Sequence, residues 1–373
     1  MSMPMQHDIF MNFYKNTALL GSKILQKYIC RKLEDEQLIA FDEQQSSLFE
    51  TDKKVLQFHS RNDIRNIISQ TATNDYYIKF YESWEFEKLY KYSVPLFFEE
   101  SEGKGLDEIL DEKKLKVFKR DKFKPEYIIN TDLKEASPIY FIRENKIFIK
   151  FVLQKSTITG NIEGIDYRYP IIIYLDKKMN CLEIRYDAVM FNPGINNFAF
   201  YEANVLECIR WLKDELGISL FTCNHASVID NIKNDNNNAV KLYKQMMEMS
   251  SGGSAELTAS EQTDYVLPFT DEIRELINEN EELFKNAHEA KELLLQYLNE
   301  KEETANYPYI YVKWLNSVAS QSYIVKITFD YFDRKFTVLQ HITGSCRDLG
   351  MGRMNNAIQY LCQSNSFIKG EAI

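Results

Sequence analysis

The chain has 373 residues, and 27% of them are charged, for a formal net charge of −10. That length suits two domains, and 45% hydrophobic residues with 24 Phe and 23 Tyr supply a sizeable core. With only 13 Gly and 8 Pro, a low-complexity or largely disordered chain is excluded.

The first elements read as helical. Phe10, Phe13, Tyr14, Leu19, Leu20, Ile24 and Tyr28 recur at three- and four-residue spacing, as one buried helix face requires. Asn62-Asp63 predicts the cap of a short helix with Ile64, Ile67 and Ile68 inward. Residues 76–98, dense in Tyr, Phe and Trp, read as strand with Pro95 at an edge.

From Pro138 the pattern turns to β. Ile139 to Ile142 and Ile147 to Leu153 flank the polar turn Arg143-Glu144-Asn145-Lys146, which predicts a hairpin. A second pair, Ile171 to Leu175 and Cys181 to Val189, flanks Asp176-Lys177-Lys178. A helix is expected over 198–216 with Gly217 closing it, and another over 239–249. Ser250-Ser-Gly-Gly-Ser254 reads as a linker. Beyond it, Thr270-Asp271 caps a predicted long helix to residue 298, a rod of roughly 45 Å. Strands over 310–315, 323–329 and 336–342 and a last helix near 353–362 complete the chain.

The expected architecture is therefore α+β. A helical, aromatic-rich N-terminal lobe over 1–130 precedes a mostly antiparallel sheet lobe with packed helices. Its parts are a hairpin-and-helix region over 131–249, a Ser/Gly linker over 250–260, and a long acidic helix with C-terminal strands and helix over 261–373. The octets from Asp176 and from Asp333 share the form D-[KR]-K-Φ-x-Φ-L-[EQ], each between two strands that lead to a helix. A duplicated β-β-α unit is one reading, and the turn chemistry of Asp and exposed Lys is the other.

No apolar run approaches the roughly 18–20 residues of a membrane-spanning helix. Met1 to Phe10 lacks the basic and apolar regions of a secretory signal. Six cysteines without repeated spacing read as reduced thiols. A soluble, cytoplasmic protein without a membrane partner is the expectation.

Charge is segregated. Segment 271–303 carries eleven acids against four bases, and 304–373 carries seven bases against four acids. Lys113, Lys114, Lys116, Lys119, Arg120, Lys122 and Lys124 surround a single Asp121, interleaved with Phe118 and Phe123. Such a segment suits successive phosphates with ring stacking, and equally a solvated edge strand whose lysines block pairing. The loop 344–353, with Arg347 and Arg353, offers backbone amides and small residues to a phosphate. It matches neither G-x-x-x-x-G-K-[ST] nor G-x-G-x-x-G, so turn residues and a cap are the plainer account.

The familiar catalytic spacings are incomplete in this chain. Cys223-Asn-His225, with Cys208, gives a ligand pair but no second half, so no metal site is expected. Asp166, Glu183, Asp187 and Glu202 are the carboxylates placed to hold Mg²⁺ for phosphodiester chemistry. In the D…E-x-K form that chemistry needs a lysine where Glu183-Ile-Arg185 has arginine. There is no G-x-S-x-G elbow, H-E-x-x-H or kinase set. No cofactor is expected. The leading expectation is a non-catalytic intracellular binding or assembly protein with a protein partner or a second copy. The alternatives are nucleic-acid or nucleotide-phosphate binding through 113–124 and 344–353, and a metal-dependent phosphodiesterase or nuclease.

Overall fold

A computed structural model of the chain describes residues 3–41, 55–72, 75–100, 103–122, 130–157, 164–189, 197–223, 232, 239–260, 267–316, 322–330, 336–343, 350–363 and 369–372. The fold is α+β, with mostly antiparallel strands and packed helices. It divides into two units. One comprises Met1–Lys91, Phe98–Leu220 and Arg347–Met351; the other comprises Tyr92–Phe97, Phe221–Cys346 and Gly352–Ile373.

The first unit is built on four antiparallel strands in spatial order: β5 (Ile139–Arg143), β6 (Lys146–Ser156), β7 (Asp166–Asp176) and β8 (Cys181–Tyr186). The short β4 (Lys116–Val117) runs parallel beside β5. Ile171 to Leu175 is apolar at nearly every position because helices cover both sheet faces. On one face lies α6 (Asn197–Leu216), whose Trp211 meets Phe151 edge-on at 5.2 Å. On the other lie α1 (Met3–Leu20) and α4 (Asp75–Glu85). Asn16 and Thr17 of α1 bond the backbone of Asp166 and Arg168 in β7. Both hairpins turn through left-handed residues, Glu144 (φ 55°) and Asn180 (φ 51°), and Gly217 (φ 63°) closes α6.

A helical layer completes that unit. Here α2 (Lys23–Asp35) and α3 (Ile64–Thr71) pack with α1 around Tyr14, Ile29, Leu33, Ile67 and Ile68. Asp63 caps α3 by accepting from the Asn66 amide. The strands β1 (Ile39–Phe41) and β2 (Leu56–Phe58) form a parallel pair beside them.

The second unit orders its strands β11 (Ser254–Thr258), β10 (Val240–Glu248), β12 (Tyr309–Trp314), β13 (Tyr323–Asp330), β14 (Phe336–Thr343) and β3 (Tyr92–Glu99). All of these pairs are antiparallel. In addition, β15 (Lys369–Ala372) pairs with β9 (Ser219–Cys223). Strict alternation in β12 buries Ile310, Val312 and Trp314 and turns Tyr309, Tyr311 and Lys313 the other way. On the buried face, α10 (Gly352–Gln363) sets Tyr360 edge-on to Trp314, and Asn356 donates to the Tyr323 hydroxyl at 2.6 Å.

Several sequence expectations are corrected. Residues 75–85 are helix rather than strand: Tyr77, Ile78, Tyr81 and Glu85 share a helical face, and packing overrides the aromatic preference for strands. Residues 240–248 are strand rather than helix, because neighbours on both sides pair with them. Ser250 to Ser254 makes the turn of the β10–β11 hairpin, which uses Gly252 at φ 89°. The expected single rod is three helices: α7 (Thr270–Glu279), α8 (Glu281–Phe284) and α9 (His288–Thr304). Arg274 reaches Asn299 and Glu302, both at 2.8 Å. In one straight helix, the 28 positions from 274 to 302 would stand about 42 Å apart, so the chain folds back. The D-[KR]-K octet at Asp176 is a hairpin turn, with its carboxylate accepting from the Lys178 and Met179 amides. The turn at Asp333 lies outside the described residues. A hairpin followed by a helix occurs in both places, β7–β8–α6 and β13–β14–α10.

Candidate nucleic-acid interface

The basic segment lies in the first unit, directly after α5 (Leu106–Glu112), and several of its charges are engaged. Lys113 pairs with Glu215 at 2.8 Å, and Arg120 forks onto Glu36 at 2.7 and 3.3 Å. Lys114 takes a left-handed turn (φ 52°) and Lys116 pairs with β5. Lys119 is exposed, and Lys122 sits in a short 3-10 turn. Phe118 packs on Phe86 with centroids 5.1 Å apart, so its ring serves the core more than a ligand. Lys124 and Arg347 lie outside the described residues, as does His225 of the Cys-x-His pair. Arg353 belongs to the second unit, at the start of α10, its guanidinium 5.3 Å from the Tyr323 ring centre.

The four carboxylates named from sequence do not form one cluster, and no metal-holding group of His, Cys, Asp and Glu occurs among the described residues. Asp166 takes the Ser156 hydroxyl. Glu183 is buried and held by its own strand neighbour Arg185 at 2.7 and 3.0 Å, beneath Tyr174. Asp187 pairs with buried Lys88 and accepts from the Lys91 amide. Glu202 lies on α6.

Sequence reasoning missed the ionic cluster beside them. Lys150, in the middle of the apolar strand β6, is wholly buried. Its ammonium donates to the Glu82 carbonyl (2.9 Å), the Glu82 carboxylate and Glu85 Oε2 (3.0 Å), which uses all three protons. Arg168 of β7 grips the same two glutamates, with Nη2 2.9 Å from Glu85 Oε2, and Tyr14 donates to Glu82. Two buried acids meet a buried lysine and a largely covered arginine, so charge is balanced and the lysine's donors are filled. The signal was a lysine inside IFIKFVL and two glutamates three apart, Glu82 and Glu85. Reading 76–98 as strand hid their common helix face.

This cluster sets a pH dependence. Burial alone would push the Glu85 carboxyl up, but the Arg168 guanidinium and Lys150 ammonium outweigh it and hold it at about 2. Its folded value therefore lies below its unfolded one, near 4.5, so its contribution is full above pH ~4.5 and fades as pH falls towards 2. Thermal melts from pH 6 to 2.5 should show stability dropping below about pH 4.5. In Glu85→Gln, already destabilised at neutral pH, that drop should be shallower.

The second unit carries a different kind of surface. On the face of β10–β13 opposite α10, cross-strand pairing places Lys241 beside Lys313 and Tyr311 beside both Lys244 and Lys326. A bulge between Leu242 and Lys244 brings the Tyr243 ring under Lys313, at 5.4 Å. Lys326 stands 3.9 Å from the Tyr309 ring centre and 5.6 Å from that of Tyr311. Lys244 lies 5.3 Å from Tyr311. Three tyrosines and four lysines thus alternate across three strands, β10, β12 and β13, all half-exposed.

Glu256 binds Lys244 and accepts from the Tyr309 hydroxyl at 2.6 Å, and Glu248 stands at the end of β10. The hydrogen bond to Glu256 and burial push the Tyr309 phenol up to about 12, so it stays a neutral donor. Partial burial, with Lys244 nearby, lowers the Lys326 ammonium's affinity for its proton despite Glu256. A cation so placed gains from an approaching anion. The sequence alternation of β12 was legible; the partner strand β10, taken for helix, was not.

Protein-family models and curated protein sequences give no match to this chain. Among the described residues no helix is long and apolar enough to cross a membrane.

Proposed function

We propose that this is a non-catalytic binding protein whose ligand is single-stranded nucleic acid, taken up on the open face of β10–β13. The observation that carries the reading is the interleaving of Tyr243, Tyr309 and Tyr311 with Lys241, Lys244, Lys313 and Lys326. Aromatic rings on a sheet stack bases of any identity, while lysines between them track the phosphates. Strands about 4.8 Å apart make a face some 15 Å wide, room for two or three nucleotides.

Binding exchanges one set of contacts for another. Lys326, now over Tyr309, moves to a phosphate and uncovers the ring for a base. Glu256 holds Lys244 and Tyr309 in place when the face is empty. The preference is for single strands, because a duplex hides its base faces.

Fluorescence anisotropy with a labelled 12-nucleotide oligomer tests this. The logarithm of affinity should fall linearly with the logarithm of salt at a slope of about −3, from four lysines at about 0.7 each. Lys313→Glu with Lys326→Glu should abolish binding at 150 mM salt. A slope near zero, or unaltered affinity in that double variant, would remove this face as the site.

A further inference from the structure

The first unit has a cleft of about 850 Å³ between α2 and α3, with Phe41 of β1 at its base. That volume falls in the range of small-ligand sites. Five bases line it: Lys23, Lys27 and Arg31 from the α2 wall, Arg61 and Arg65 from the other.

The arrangement works against its own helix. Lys23, Lys27 and Arg31 stand at i, i+4 and i+8, so they share one face of α2, where like charges repel. The two acids of the lining are already engaged. Glu34 takes Arg61 at 2.6 Å, and Asp63 caps α3. Among the described residues no acid pairs with Lys23, Lys27, Arg31 or Arg65. Four exposed cations therefore face one cavity with no acid partner among the described residues, in a chain whose net charge is −10.

The lining also has apolar parts. Phe41 is buried, with the Arg61 guanidinium 4.8 Å from its ring centre, and Leu19 and Ile64 flank it. Cationic walls beside an apolar, aromatic patch match a ligand with a polyphosphate and a flat apolar portion.

We propose that this cleft binds a nucleoside polyphosphate, its phosphates on the Lys23–Lys27–Arg31 stripe and Arg65, its base against Phe41, Leu19 and Ile64. The site belongs to the first unit, and the proposal does not depend on the sheet face of the second.

Isothermal titration of the full chain with ATP, sodium tripolyphosphate and adenosine tests the proposal. ATP should bind, tripolyphosphate at least tenfold more weakly, and adenosine not measurably. Lys27→Glu with Arg31→Glu should weaken ATP at least tenfold while leaving the melting temperature of these exposed positions within about 2 °C. Lys27→Ala with Arg31→Ala should weaken it less. Two results would overturn the proposal. One is no ATP binding by the wild-type chain, including the case where the Glu variant instead loses oligonucleotide affinity and the cleft is part of a nucleic-acid path. The other is ATP and tripolyphosphate binding equally, which would mark a plain phosphate site.

Discussion

Replacing Lys150 by alanine should lower the stability of the first unit by about 3–5 kcal/mol, the usual cost of leaving buried partners uncompensated. Both glutamates it serves are nearly inaccessible to water, Glu82 at 2% and Glu85 at 3%. The ammonium fills three acceptor positions at once and lies 4.5 Å from the Phe86 ring centre. Removing it leaves Arg168 alone against two carboxylates. For a unit of about 200 residues the expected melting shift is about 10 °C. Lys150→Met, which keeps volume and drops charge, should be nearly as harmful. Lys150→Met with Glu82→Gln should recover part of the loss, since one acid is neutralised with its base. Differential scanning calorimetry reads all three, and a loss under 1 kcal/mol in the single variants would mean that the cluster holds nothing together.

The second large effect concerns the sheet face. Tyr311 lies centrally in β12, with Lys244 and Lys326 on either side. Alanine there should reduce oligonucleotide affinity by about 10- to 100-fold, corresponding to a stacking contribution of ~1–3 kcal/mol. Tyr309→Ala should do the same, whereas phenylalanine at either position should retain most of the affinity because the ring remains. Glu256→Gln should act in the opposite sense, since it frees Lys244 and Tyr309 and removes a repulsive charge. An affinity unchanged in Glu256→Gln and in both alanine variants would place binding, if any, elsewhere.

How much of this was legible in the sequence depended on whether local signals agreed with tertiary ones. The hairpins at Glu144-Asn145 and Asp176–Asn180 were readable, because polar turn residues separate runs that alternate or are wholly apolar. So were α6 with Gly217 and α3 with its Asp63 cap. Residues 75–85 misled because Tyr, Phe and Trp favour strands locally, while here they fill a helical core. Residues 240–248 misled in reverse: Lys, Leu, Gln and Met favour helix, yet β11 and β12 claim their backbone bonds from both sides.

Those two errors account for what the site reading missed. With α4 taken as strand, Glu82 and Glu85 had no shared face to point at Lys150. With β10 taken as helix, Lys241, Tyr243 and Lys244 had no reason to join Tyr309, Tyr311 and Lys326. The basic run 113–124 drew notice because its charges are adjacent in sequence, yet Arg120 and Lys113 are paired with Glu36 and Glu215. Charges dispersed over three strands leave no such run, and only strand pairing reveals them.

The contact on which the proposed function turns is base stacking on the tyrosines of the second unit. Photocrosslinking the full chain to a single-stranded oligomer containing 5-bromouracil, followed by peptide mass spectrometry, tests it most directly. Adducts should map to Tyr309 and Tyr311, with Tyr243 as a third site. Adducts confined to 113–124, or formed as readily in the Tyr309→Ala, Tyr311→Ala double variant, would contradict it.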